Sequence, residues 1–202
     1  GSGKRLGSRT KKPFVLLKGR PLVTYALKAL SSSRHIDGII VAADRDSIGR
    51  LKGLIKRYRI KKVIAVVAGG KTRLGSVKNC LERAGSLFDI ALIHDGARPL
   101  VSEREISGSI RLARKYGACV TAVPEVDTVK LAAKDMFVKK TLDRSAIYRA
   151  QTPQAFRFEI IKKAYYRKGR PEATDDSAMA EGTWRKVKIL EGSFRNIKVT
   201  TK

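Results

Sequence analysis

Three short stretches carry residues whose types and spacing suit work on phosphates. The chain opens with Gly1-Ser2-Gly3-Lys4-Arg5-Leu6-Gly7, followed by Lys11-Lys12-Pro13-Phe14. Glycines let backbone N–H groups approach phosphate oxygens closely, and the cations that follow neutralise charge. No Gly-Lys-Ser/Thr follows, so this is not a Walker A loop; alone, it reads equally well as a basic turn. A second stretch, Val66-Val67-Ala68-Gly69-Gly70-Lys71-Thr72, ends like a P-loop, but the glycine required at its start falls on Ala65. The third is His94-Asp95-Gly96-Ala97-Arg98-Pro99, directly after an apolar run. In open α/β sheets ligands sit beyond the carboxyl ends of strands. A carboxylate there can hold Mg2+ on a triphosphate, and Arg98 can grip an anionic substrate. The same residues can also close a turn around a satisfied ion pair.

The elements that would position these residues alternate. Residues 38–43, 63–67, 90–93 and 119–123 are short, β-branched apolar runs and read as strands buried on both faces. Between them, Pro21 fits a first helical position ahead of Leu22, Leu27 and Leu30. Ile48, Leu51, Leu54, Ile55 and Tyr58 fall at helical spacing. Ser102-Glu103-Arg104-Glu105 is a capping box opening a further helix through Ile106, Ile110 and Leu112. This alternation predicts an α/β sandwich with a largely parallel sheet. Residues 126–144 break the pattern: Asp127–Leu131 and Met136–Leu142 read as a β-hairpin around Lys134-Asp135. A hairpin with so little core is marginal in water, so it is expected to pack on something, a second subunit included. Residues 1–202 read as one domain, with both ends expected to lack an element: a strand before the glycine loop and a closing helix.

Composition narrows the function classes. Of 202 residues, 43% are hydrophobic, enough for one compact core. Lys and Arg number 44 against 18 Asp and Glu, a net charge of +26 that calls for an anionic partner. Residues 1–36 hold no acid. A nucleic-acid-binding protein is the reading from another class. It is disfavoured because aromatics are only 6% and no RNP, KH or helix-turn-helix signature is present. No apolar run approaches the ~20 residues of a membrane helix, and no signal peptide is evident, so no membrane partner is expected. Cys80 and Cys119 lack metal-ligand spacing and read as thiols in a reducing compartment, the cytoplasm. Two histidines exclude a His-rich metal site.

Taken in order, GSGKRLG, KKPF, GRPLVTY, AGGKTRLGSV, HDGARP, AVPEVDTVK, AQTPQAF, TDDSAMAE and RNIKVTT resemble the 2-C-methyl-D-erythritol 4-phosphate cytidylyltransferases of non-mevalonate isoprenoid synthesis. The resemblance spans essentially the whole chain. It implies a Rossmann-like nucleotidyltransferase sandwich of three layers with a mostly parallel mixed sheet and an inserted hairpin arm. It implies transfer of CMP from CTP, with Mg2+, to a polyol phosphate. By that likeness Gly1 and Gly3 belong to the triphosphate loop, Arg5 and Lys12 act on the CTP phosphates, and Gly70 and Ser76 lie around cytosine and ribose. Asp95 lies beside the nucleotide and its Mg2+, and Lys198 is a third catalytic cation near the α-phosphate. Arg98, Thr128, Arg144, Thr152, Thr174 and Asp175 form the acceptor surface, and residues 126–144 reach into a partner subunit to make a homodimer. Pro13 stands where glutamine is common and Lys71 where many members carry an acid. Ribitol 5-phosphate is the alternative acceptor, and a homologue without catalysis a third reading.

Overall fold

The computed structural model describes residues 11–167, 173–181 and 186–200. Gly1, Gly3 and Arg5 therefore lie outside the described residues. Each expected strand forms within a residue or two of its apolar run: β3 (Ile39–Ala43), β4 (Val63–Ala68), β5 (Ile90–Ile93) and β6 (Ala118–Pro124), after a small antiparallel pair β1 (Leu16–Leu17) and β2 (Arg20–Pro21). The hairpin strands are β7 (Lys130–Ala132) and β8 (Val138–Thr141), shorter than expected. Two further strands complete the set: β9 (Tyr148–Arg157) and β10 (Lys188–Glu191).

The helices are α1 (Leu22–Ser32), α2 (Ile48–Arg57), α3 (Arg73–Ala84), α4 (Glu103–Tyr116), α5 (Phe158–Tyr166) and α6 (Asp176–Glu181). Pro21 is not the first residue of α1. It closes β2 and stands one position earlier as the helix cap, where φ −57° and ψ 133° suit its ring. The capping box of α4 forms in full, with Ser102 and Glu105 each satisfying the other's backbone N–H.

The expected single, mostly parallel sheet is instead divided among the described residues. Four strands run in the order β10-β6-β9-β5, and β3 pairs with β4 in a separate parallel ladder. In the larger sheet β6–β10 is parallel, but β9 runs antiparallel to both its neighbours, β5 and β6. β6 is buried almost throughout, as expected, whereas β3, β4 and β5 are mostly half-buried. The difference goes with pairing: among the described residues β3 pairs only with β4 and β5 only with β9, whereas β6 has a strand on each side.

Strand side chains alternate between faces, and helices cover both. Ala91, Ile93, Ala118 and Phe156 pack with Leu81 of α3, Ile161 and Tyr165 of α5 and Met179 of α6. Ile90, Cys119, Ala155 and Leu190 pack with Leu112 and Ala113 of α4. Phe156 is fully buried between these elements, and truncating such a side chain costs about 3–5 kcal/mol. The core thus clamps the carboxyl end of β5, where the HDGARP stretch begins.

Candidate active site

β5 ends at Ile93, and the chain turns immediately: the Arg98 N–H donates to the Asp95 carbonyl at 2.9 Å. Thr152 of β9 locks this turn. Its hydroxyl accepts the Asp95 N–H at 3.0 Å and lies 3.1 Å from His94 Nδ1. His94 Nε2 lies 3.1 Å from the Arg98 carbonyl, which can only accept. Nε2 therefore carries a proton, and the Thr152 hydroxyl can donate to Nδ1 of a neutral ring. Burial pushes the His94 pKa down, in agreement.

The turn presents Asp95 to three cations. Lys198 Nζ is 2.8 Å from Oδ2, Arg73 Nε is 3.2 Å from Oδ1, and Arg98 Nε is 3.9 Å from Oδ2. Burial opposes the charge on Asp95, but Lys198 and then Arg73 outweigh it and hold the carboxyl down at about 2. Arg98 is buried, and burial lowers its pKa; its Nη1 donates to the Asn196 carbonyl at 2.6 Å. Arg98 Nε and Arg73 Nη1 are buried without a hydrogen-bond partner among the described residues. A buried donor left unpaired costs about 1–3 kcal/mol, so this arrangement favours an anion that supplies the missing acceptors.

Lys198 is held from both sides. The fully buried Asn196 donates through Nδ2 to the Thr152 carbonyl at 2.9 Å and to Glu105 Oε1 at 3.2 Å. The Val199 N–H donates to the Ala97 carbonyl at 2.9 Å. Glu105 thereby serves both the α4 capping box and the loop that carries Lys198.

Gly70 and Ser76 meet at the β4–α3 junction. The Gly70 N–H donates to Ser76 Oγ at 3.1 Å, and that hydroxyl donates to the Thr72 carbonyl at 3.0 Å. A Cβ on Gly70 would stand 2.6 Å from the Gly75 carbonyl carbon, so only glycine permits this approach. α3 then opens with Thr72 as its cap and Arg73 as its first residue.

The other expected residues are less concentrated. Asp175 accepts from the Ala178 N–H at 2.8 Å, at the start of α6, and from Gln154 Nε2 at 2.8 Å, while Thr174 is exposed. Thr128 and Arg144 are exposed at the base of the hairpin, where Arg144 Nη1 donates to the Val126 carbonyl at 2.6 Å. Lys12 is half-buried in a short 3-10 turn beside the buried Phe14. Thus Asp95, Arg98, Thr152 and Lys198 come together directly. Asp175 is tied through Gln154 to β9, two residues after Thr152, and no hydrogen bond joins Thr128 or Arg144 to the Asp95 group among the described residues.

Sequence reasoning missed Arg73, Glu105, Gln154 and Asn196 as parts of this site. Arg73, Gln154 and Asn196 stand inside stretches that carried the family resemblance, which is the signal that could have found them. Two cavities of about 570 and 590 Å³, one between α2 and β4 and one beside α1 and α4, contain none of the site residues.

Comparison with known proteins agrees with the motifs. The family model for 2-C-methyl-D-erythritol 4-phosphate cytidylyltransferase matches residues 1–202. The chain is 42% identical over 205 residues to the enzyme of that name from Pelotomaculum thermopropionicum, covering all of this chain and 86% of the relative. It is 39% identical over 204 residues to the namesake from Clostridium novyi, covering all of this chain and 88% of that one. Among solved structures, 4-diphosphocytidyl-2C-methyl-D-erythritol synthase from Anaerococcus prevotii superposes with a TM-score of 0.87 at 33% identity, over 98% of this chain and 88% of the other. The Thermus thermophilus cytidylyltransferase superposes with a TM-score of 0.78 at 29% identity, over 94% of this chain and 87% of the other. The α/β architecture, the residues around Asp95 and these likenesses agree: the chain belongs to the 2-C-methyl-D-erythritol 4-phosphate cytidylyltransferase family.

Proposed function

We propose that this chain transfers CMP from CTP to 2-C-methyl-D-erythritol 4-phosphate, giving 4-diphosphocytidyl-2-C-methyl-D-erythritol and pyrophosphate. The observation that carries the reading is the ionised Asp95 after β5, with Lys198 2.8 Å away and the buried Arg98 Nε beside it, which has no hydrogen-bond partner among the described residues. Such a cluster suits two anionic substrates that must meet despite their mutual repulsion.

An acceptor phosphate oxygen forms the new bond to the α-phosphorus of CTP, and the bond from that phosphorus to the bridging oxygen of pyrophosphate breaks. The acceptor phosphate is already ionised, so no general base is needed. Catalysis is then positioning plus neutralisation of charge on a five-coordinate phosphorus. Lys198 is half-exposed and can exchange Asp95 for a phosphate oxygen as substrate arrives. Arg5 and Lys12 neutralise the triphosphate from the amino-terminal loop, with Gly1 and Gly3 giving close backbone approach. Gly70 and Ser76 shape the nucleoside side. Arg98 grips the acceptor with Thr128, Arg144, Thr174 and Asp175, while Thr152 fixes the turn that aims Asp95.

The donor set fits a nucleotide-borne Mg2+. Asp95 is one carboxylate held ionised, and no cluster of three acid, His or Cys side chains occurs among the described residues. Mg2+ typically takes one or two protein carboxylates and fills its shell with phosphate oxygens and water. Bound this way, it would neutralise triphosphate charge.

The hairpin supports a homodimer: Met136, Phe137 and Val138 are 82%, 74% and 61% exposed. Such a cluster on a thin hairpin favours burial against a second copy. The free thiols Cys80 and Cys119 favour the cytoplasm. No helix among the described residues is long and apolar enough to cross a membrane.

Pyrophosphate release tests substrate choice, with CTP, UTP, ATP and GTP each offered against 2-C-methyl-D-erythritol 4-phosphate and ribitol 5-phosphate. CTP with the methylerythritol phosphate should dominate. Equal turnover of ATP would reject cytidylyl transfer, and preference for ribitol 5-phosphate would move the assignment to the other acceptor.

A further inference from the structure

Arg73 stands where helix physics disfavours a cation. It is the first residue of α3, and the first turn of that helix holds no acid. The unpaired N–H groups of a helix N-terminus form the positive end of the helix dipole. Two carboxylates from distant parts of the chain compensate. Arg73 Nε lies 3.2 Å from Asp95, and Nη2 hydrogen-bonds Asp176, the first residue of α6. Asp176 is fully buried, and its other oxygen accepts the Tyr165 hydroxyl from α5. Burial works against the Arg73 charge, yet Asp176 and then Asp95 hold its pKa above the ordinary value.

One guanidinium thus joins three elements that each carry a different part of the site. α3 grows out of the turn that holds Gly70 and Ser76, Asp95 follows β5, and α6 follows directly on Thr174 and Asp175. Arginine's planar fork can engage two carboxylates in fixed directions, which the single ammonium of lysine cannot reproduce. We infer that Arg73 is a positioning residue: anchored on the buried Asp176, it holds Asp95 and the Thr174–Asp175 segment at a fixed spacing, so that bound nucleotide and bound acceptor meet in line. Its Nε and Nη2 are committed to Asp95 and Asp176, so it acts mainly through Asp95 and α6. The inference rests on the cytidylyltransfer reading of this site.

The test compares wild type with Arg73→Lys, Asp176→Asn and the double variant, each checked for folding by circular dichroism. CTP affinity without acceptor is measured by calorimetry, and acceptor kcat and KM by pyrophosphate release at saturating CTP. Each single variant should lose about tenfold or more in acceptor kcat/KM, because small misplacements of reacting groups are costly. CTP affinity should stay within about threefold, and the double variant should be no worse than the poorer single, since both break one clamp. Folded variants with acceptor kcat/KM within about threefold of wild type would reduce the pair to a stability feature and overturn the inference. An equal loss of CTP affinity would make Arg73 a nucleotide contact and overturn it too, as would additive losses. If Asp176→Asn fails to fold, Arg73→Lys decides by the same readings. A wild type that transfers no CMP would overturn the cytidylyltransfer reading together with the inference, a result distinct from any difference between variants.

Discussion

Lys198 Nζ lies 2.8 Å from Asp95 Oδ2, joining a loop late in the chain to the turn after β5, 103 residues earlier. The lysine is half-exposed, so its loss should cost little in packing. Lys198→Ala should keep the fold and lower kcat by about 10²-fold, the usual scale for one preorganised charge contact. Circular dichroism with steady-state kinetics checks this. A folded variant with unchanged kcat would remove Lys198 from the catalytic group.

The same pair sets a pH dependence. Asp95 has a folded pKa of about 2, below its reference value of 3.8. The folded state therefore binds fewer protons than the unfolded one as pH falls. The stabilisation is fully present above about pH 4–5, is lost on descent towards pH 2, and amounts to about 2 kcal/mol. In Lys198→Ala the Asp95 pKa should rise, because a main cause of its depression is gone, and part of this stabilisation should be lost. Tm measured against pH should show a shallower acid slope for the variant. Superimposable slopes would contradict the pairing.

Neighbouring lysines separate function from bulk charge. Lys11 is exposed and pairs with Asp46 at 2.7 Å and Asp44 at 3.3 Å, an arrangement that contributes little when solvated. Lys12 is the residue proposed to neutralise the triphosphate. Lys12→Ala should cut kcat by about 10²-fold or more while Lys11→Ala stays mild. Equal small effects at both positions would withdraw the catalytic assignment of Lys12.

Gly70 offers a steric test. Gly70→Ala places a methyl 2.6 Å from the Gly75 carbonyl carbon and 2.8 Å from its Cα, so the β4–α3 junction must shift. A loss of about 1–3 kcal/mol is expected, together with weaker CTP binding. Gly53, inside α2, has nothing within 4 Å of the same added atom. Gly53→Ala should instead stabilise by about 0.5–1 kcal/mol through helix propensity. Thermal melts and CTP calorimetry on the two variants decide it; a Gly70→Ala protein indistinguishable from wild type would exclude a tight junction.

Removal of residues 130–140 tests the arm. The proposed dimer should become monomeric in sedimentation, and acceptor KM should rise more than CTP Kd. A deletion variant that is monomeric and fully active would show that the hairpin has no part in acceptor binding.

Much of this was legible in the sequence because it is local physics. Ser102 and Glu105 announce α4 by reciprocal capping, and the β-branched runs locate β3 to β6. β9 was hidden by Pro153, which argues against a strand. It is tolerated near a register shift, where Thr121 Oγ1 donates to its carbonyl. β10 is only Lys188–Glu191, too short to show a period. Asp95 and Arg98 could be singled out because they follow a strand. No spacing rule singles out Arg73, whose two partners lie 22 and 103 residues away; only the resemblance of the stretch around it points there.

Phosphorus NMR of wild-type protein with CTP, Mg2+ and 2-C-methyl-D-erythritol 4-phosphate tests cytidylyl transfer most directly. Transfer predicts two new, mutually coupled diphosphate signals growing in step with pyrophosphate, while the acceptor monophosphate signal declines. Release of pyrophosphate with free CMP and an unchanged acceptor signal, or no turnover at all, would contradict it.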